Sequence, residues 1–348
     1  MKIIYSSLYH IDIVNHIFEK KQINTNDVKD YIFNAVYEMI DNKNKRYYKI
    51  RTLHKEVIHS ILSIYTSPNW EEDKTYFDTA SSIIANRLKE TEEKTSDRYG
   101  HLNDLQKGSL IQVIYEDALG HLHYLLAKIE HNKFLDVEDL KFSTGLLVNN
   151  RTYKICDISF IPEEGESYQV DEIIIADSNR KKISEYWYDG FLEMDELQTD
   201  NENTRKAFSA IDNYLNRNVK KQAPADYTII RNGTIQYFRT QPQFNITEYN
   251  DYVFGSYTPE SDELNLEVIK EKISDLPRKK SFDSSFSLVP TEVKAKFKRE
   301  YPITAKIELK IKEDIANIRD EIKAIEEHDK KYLKILITDN ETYNLFKY

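Results

Sequence analysis

The chain has 348 residues, 40% apolar and 31% charged, with a formal net charge of −10. That composition belongs to a folded globular protein and excludes disordered and collagen-like chains. The single cysteine, Cys156, excludes an intrachain disulfide and any cysteine-built zinc site, and makes a reducing cytoplasm the expected compartment.

The opening stretch IIYSSLYHIDI reads as a strand. His10 and Asp12 interrupt its apolar character, so neither a signal peptide nor a membrane anchor is expected. No window approaches the roughly 18 apolar residues of a spanning helix, so no membrane insertion is expected. Three amphipathic helices follow. The first runs through NTNDVKDYIFNAVYEMIDN, with Val28, Tyr31, Ile32, Ala35, Val36, Met39 and Ile40 at helical spacing. The second runs through LHKEVIHSILSIY, and the third through DKTYFDTASSIIANRLKETEEK.

Near residue 108 the period changes. SLIQVIYEDALGHLHYLLAKIEH reads as a hairpin with Gly120 in or beside the turn. GLLVNNRTYKICDISFIP predicts a second hairpin turning at Asn149 and Asn150. YQVDEIIIADSN predicts a buried strand ending in the turn residues Asp177, Ser178 and Asn179. The aromatic run SEYWYDGFLEM comes next. Helices return in NENTRKAFSAIDNYLNRN and in PESDELNLEVIKEKISDLP, the latter ending before Pro277. AKIELKIKEDI and KYLKILIT predict two late strands.

The predicted fold is therefore α+β: a helical N-terminal region (1–100), a mixed or antiparallel sheet in a β-rich central domain (101–200), and a helical segment leading into an α/β C-terminal domain with a basic surface (201–348).

Charge is polarised along the chain. Residues 157–202 hold 14 Asp/Glu and 3 Lys/Arg, whereas residues 270–312 hold 12 Lys/Arg and 6 Asp/Glu. The common catalytic signatures are absent: there is no Gly-rich phosphate loop, no H-E-x-x-H and no G-x-S-x-G. His121 and His123 share a strand face but have no evident third metal ligand. Cys156 lacks a visible base and reads as core. Asp171 and Asp177, with Lys181 or Lys182, match the carboxylate and lysine set of a metal-dependent nuclease. A charged turn after a strand matches them as well. Tyr186, Trp187 and Tyr188 lie among seven acids and no base in residues 185–204. They therefore suit a protein-partner surface or a core better than a nucleic-acid platform.

The basic section centres on VPTEVKAKFKREYP, residues 289–302. As a strand, Val293, Ala295 and Phe297 alternate with lysines. As a helix, Val293, Phe297 and Tyr301 recur every four residues, Thr291 caps and Pro302 stops. Arg278, Lys279 and Lys280 lie upstream, Lys294, Lys296, Lys298 and Arg299 within, and Lys306, Lys310 and Lys312 downstream. Cations on successive elements suit contact with phosphates, without a geometry for reading bases.

In the order of these elements the chain resembles the bacterial nucleoid-associated proteins of the NdpA-like type. The resemblance runs from DKTYFDTASSIIANRLKE, through the strands around YEDALGHLHYLLAKI and YKICDISF and the run YWYDGFLEMDELQTDNENTRKAF, to VPTEVKAKFKRE, KIELKIKEDI and KKYLKILI. It implies association with chromosomal DNA, no known catalytic residues and an acidic net charge shared with the family. It also implies a divergent member, for which a role in an anti-phage locus is open.

The expected function is thus a non-catalytic, cytoplasmic, nucleoid-located DNA-binding protein, double-stranded DNA being the preferred ligand. It is expected to be a homo-oligomer, with no cofactor and no metal. Reversing Lys294, Lys296, Lys298 and Arg299 to Glu is expected to abolish binding and leave the fold intact. The alternatives are a sensing subunit of a defence system, with Tyr186, Trp187 and Tyr188 as its partner surface, and the nuclease.

Overall fold

An eight-stranded antiparallel sheet dominates the first half of the computed structural model, which describes residues 1–40, 45–99, 107–135, 142–148, 152–163, 167–178 and 183–347. The elements run β1 (Lys2–Asp12), β2 (Ile17–Lys21), α1 (Asn26–Ile40), β3 (Lys45–Ile50), α2 (Glu56–Tyr65), α3 (Lys74–Tyr99), β4 (Gly108–Glu116), β5 (Leu122–Glu130), β6 (Asn132–Leu135), β7 (Phe142–Gly145), β8 (Tyr153–Glu163) and β9 (Ser167–Asp177). A π-helical turn (Tyr186–Phe191) and β10 (Met194–Glu196) complete this half. The sheet order is β10-β3-β9-β8-β5-β4-β1-β2. The fold class is α+β.

The central strands read as unbroken apolar runs because both of their faces are buried. Alternate residues point to opposite faces. Leu110, Ile114, Tyr124 and Leu126 pack under α2, α3 and the π-helical turn. Ile111, Val113, Leu125 and Ala127 pack under Ile32, Ala35, Val36 and Met39 of α1. Gly120 adopts φ +87° in the β4–β5 turn, a conformation favouring a residue without Cβ.

Two compact units divide the chain: Met1–Thr199 with Asp283–Ser285, and Asp200–Phe282 with Phe286–Tyr348. The boundary expected at residue 100 falls inside the first unit, because α1, α2 and α3 cover the same sheet that β4, β5, β8 and β9 build. The expected second hairpin is also corrected. Among the described residues β8 pairs with β5 and β9, and β7 pairs with β6. Asn149, Asn150 and Asn179, assigned to turns, lie outside the described residues.

The second unit contains α4 (Asp200–Asn218), α5 (Pro224–Thr240), β11 (Gln243–Asn245), α6 (Ile246–Phe254), α7 (Leu266–Ser274) and α8 (Leu276–Lys280). After β12 (Ser285–Ser287) come a 3₁₀ turn (Pro290–Glu292), α9 (Lys294–Phe297), β13 (Arg299–Thr304), β14 (Ile307–Ile311), α10 (Ile318–Glu321), β15 (Ile322–Glu327), β16 (Lys330–Ile335) and α11 (Asn340–Leu345). Phe208, Ile211 and Leu215 of α4 join Phe238, Phe244 and Tyr249 in its core. Pro277 does not simply end a helix; it occupies the first turn of α8, where its missing N–H leaves no bond unmade. No helix among the described residues is long and apolar enough to cross a membrane.

The basic stretch 289–302 is neither one helix nor one strand. Pro290 opens the 3₁₀ turn, and α9 is a single turn that buries Val293 and Phe297 at a spacing of four. Lys298 is then extended and the chain enters β13. Thr291 caps nothing, and Pro302 lies within β13, facing Glu308 beside an irregularity of register. Proline is tolerated there because a two-stranded ribbon leaves N–H positions unpaired.

Candidate nucleic-acid interface

The polar face of α4 carries a second periodicity beside its core stripe. Arg205, Ser209, Asn213 and Arg217 recur every four residues, next to Lys206, Ala210, Tyr214 and Asn218. Side chains at that spacing share one helix face. With Leu276 and Lys280 of α8 they line a groove of about 490 Å³. Four of its ten lining residues are cations and none is acidic. Arg205 reaches Glu292 at 3.5 Å, and Lys206 Nζ donates to the Ser281 carbonyl at 3.2 Å. Arg217 and Lys280 make no ion pair among the described residues.

The expected cations fall into three groups. Lys280 lines this groove, and Lys296 Nζ donates to Ser209 Oγ, which lines it too. A second group is exposed elsewhere. Arg278, Lys294, Lys298, Lys306 and Lys312 make no ion pair among the described residues. Lys279 bonds Asp275 at 2.9 Å, and Lys310 bonds Glu300 across the β13–β14 ribbon. None of these seven lines the groove.

Arg299 stands alone and corrects the expectation. It is buried, and its Nη2 donates to Asn232 Oδ1 (3.1 Å) and to the Glu313 carbonyl (2.8 Å). Burial pushes its pKa down, Arg231 nearby adds to that, and Tyr301 and Asp314 oppose it. Its role is to tie β13 to α5 and to the segment after β14. Reversing it to Glu would place a carboxylate against the Glu313 carbonyl, so the fourfold reversal that includes Arg299 is expected to disturb the fold.

The aromatic partner surface is corrected as well. Trp187 is fully buried, and its Nε1 donates to the Ile155 carbonyl at 3.2 Å. Tyr186 is half-buried against the same core, and the Tyr188 ring lies tilted against Tyr48 with ring centroids 5.3 Å apart. The surrounding acids find cations within their own unit. Asp189 and Asp195 hold Arg51 at 2.6 and 2.9 Å, and Glu193 holds Lys55 at 2.7 Å and Arg87 at 3.5 Å.

Asp171 and Asp177 do not converge. Six residues along one strand separate them by about 20 Å. Asp171 is exposed, whereas Asp177 is buried, accepting from Ser184 and facing Lys154. Lys181 and Lys182 lie outside the described residues.

His121 and His123 both approach Asp117, at 3.5 and 3.8 Å, but differ in burial and in their other partners. His121 is exposed beside Asp117 at 3.5 Å. His123 donates from Nδ1 to Asp157 at 3.2 Å and stacks on Tyr115. Burial alone lowers the His123 pKa, but Asp157 and Asp117 outweigh it and hold the imidazole above its ordinary range. Among the described residues no group of three His, Cys, Asp or Glu side chains has the arrangement of a metal site. Cys156 lies in the core, where burial raises its thiol pKa.

Core patterning hid the groove from sequence reading. Phe208, Ile211 and Leu215 dominate α4, and only the recurrence of Arg205, Ser209, Asn213 and Arg217 marks its other face. Compared with family models, curated proteins and solved structures, the chain matches none.

Proposed function

We propose that this chain is a non-catalytic DNA-associated protein that holds backbone phosphates in the α4 groove, with little preference for base sequence. One observation carries the reading: an acidic protein gathers four cations in one groove lined by no carboxylate. Phosphate contacts from Lys and Arg release condensed counterions and need no base-reading geometry. Asn213 and the second side-chain N–H of Asn218 add neutral donors suited to phosphate or sugar oxygens. The order of elements in which the chain resembles NdpA-like nucleoid proteins supports the same reading. On this reading the protein acts in the cytoplasm, at the nucleoid.

The test is a gel shift on duplex DNA at low salt. Arg205→Glu/Arg217→Glu/Lys280→Glu is expected to lose the shifted band, with an unchanged melting temperature. Lys279→Glu/Lys310→Glu removes two cations already held by carboxylates and is expected to retain it. Retention by the triple variant would overturn the reading, and so would loss of binding by the double variant alone.

A further inference from the structure

β15 and β16 pair only with each other among the described residues. The two turn residues, His328 and Asp329, have φ +52° and +61°, the left-handed pair of a type I′ turn. Glu327 and Lys330 therefore flank the turn as a hydrogen-bonded pair, and such pairs recur at Ile325/Tyr332 and Lys323/Lys334. Ala324 and Glu326 consequently direct their N–H and C=O groups to the open edge of β15. A lone two-stranded hairpin is marginally stable in water. This one leaves Tyr332 48% and Leu336 60% exposed. It also sets Lys323 directly opposite Lys334, a destabilising like-charge pair.

We propose that this edge is the interface of a homodimer, in which β15 pairs antiparallel with β15 of a second copy and Ile325 lies opposite itself. A two-fold axis between antiparallel strands places one residue opposite its own copy, so few registers exist. With Ile325 on the axis, the outward groups of Ala324 meet those of Glu326 of the second copy. Lys323 lies across from Glu327 of the second copy, twice by symmetry. The cation repelled within its own hairpin thereby gains a carboxylate. Centring on Ala324 instead would oppose Glu321 and Glu327. Pairing through β16 offers no carboxylate, because its charged residues are Lys330, Lys331 and Lys334. In the favoured register Tyr332, Ile325 and their symmetry mates form one apolar strip across four strands.

Sedimentation of the full chain tests this, and a concentration-dependent dimer is expected. Lys323→Glu relieves the repulsion from Lys334 yet sets Glu against Glu across the axis, so it is expected to weaken dimerisation roughly tenfold or more. Lys323→Glu/Glu327→Lys restores the cross-axis pairs and is expected to recover the dimer. Ile325→Cys is expected to yield a covalent dimer on mild oxidation, because axial Cα atoms about 4.5 Å apart suit a disulfide. Tyr332→Cys is expected not to. A monomer at every concentration would overturn the proposal. A dimer indifferent to Lys323→Glu, or an Ile325→Cys variant that does not cross-link, would overturn it equally.

Discussion

Both units pair cations with carboxylates, as Arg231 with Asp212 in the second, but the second also gathers cations in a groove that no acid lines. In the first, cations point at carboxylates: Lys128 meets Glu92 in a buried pair, Lys154 meets Glu130 at 3.2 Å, and Lys107 meets Asp12 at 2.9 Å. In the second, Arg217 and Lys280 face a groove without acids. A sum such as −10 hides that contrast. What matters for an anionic ligand is whether a cation already has a carboxylate within reach, because a neutralised pair exerts little field beyond itself.

The contrast is broken most severely inside the first unit. Glu92→Ala leaves Lys128 buried and unpaired, and is expected to cost about 3–5 kcal/mol in denaturant unfolding. Trp187→Ala removes a fully buried ring and is expected to cost about 3–5 kcal/mol, against about 1 kcal/mol for the half-exposed Tyr188→Ala. A pull-down loss with Trp187→Ala would therefore report unfolding, and equal melting of the two variants would contradict this placement.

Arg299→Ala separates structural from surface cations. Loss of its bonds to Asn232 and Glu313 is expected to cost about 2 kcal/mol while leaving the affinity of the folded protein for DNA unchanged. A large affinity loss without destabilisation would place Arg299 at the ligand instead.

The smallest expected effect is on pH dependence. Burial, with His10 at a ring distance of 4.8 Å, lowers the His131 pKa from 6.5 to about 4. Between those values the unfolded chain binds more protons, so His131 makes stability fall as pH drops from about 6.5 to 4. His123, with its raised pKa, has the opposite sign: its contribution is full below 6.5 and is lost as pH rises through the folded value. His131→Gln is expected to flatten the acid limb of a melting-temperature profile, and an unchanged limb would contradict the assignment.

Sequence periodicity reaches far into this fold where one apolar stripe faces one core, as in α1, α2 and α4. It fails where polar residues are buried. α5 carries buried Asp226, Arg231, Asn232 and Thr234, which interrupt its stripe. Arg299 reads as one cation in a basic run because its partners, Asn232 and the Glu313 carbonyl, come from distant and nearby segments that spacing cannot bring together. Of the candidate site, Lys280 and Lys296 were legible from charge alone. Arg205 and Arg217 were not, because an acidic surround at Asp200, Glu202 and Asp212 masks them in the linear count.

The most direct measurement is the salt dependence of duplex-DNA affinity. Four groove cations, each neutralising a phosphate once Arg205 exchanges Glu292 for the ligand, predict a log–log slope of about −3.6, reduced to about −1.8 in Arg217→Met/Lys280→Met. An unchanged slope in that variant, or no retention of the wild-type chain on DNA at low salt, would contradict the account.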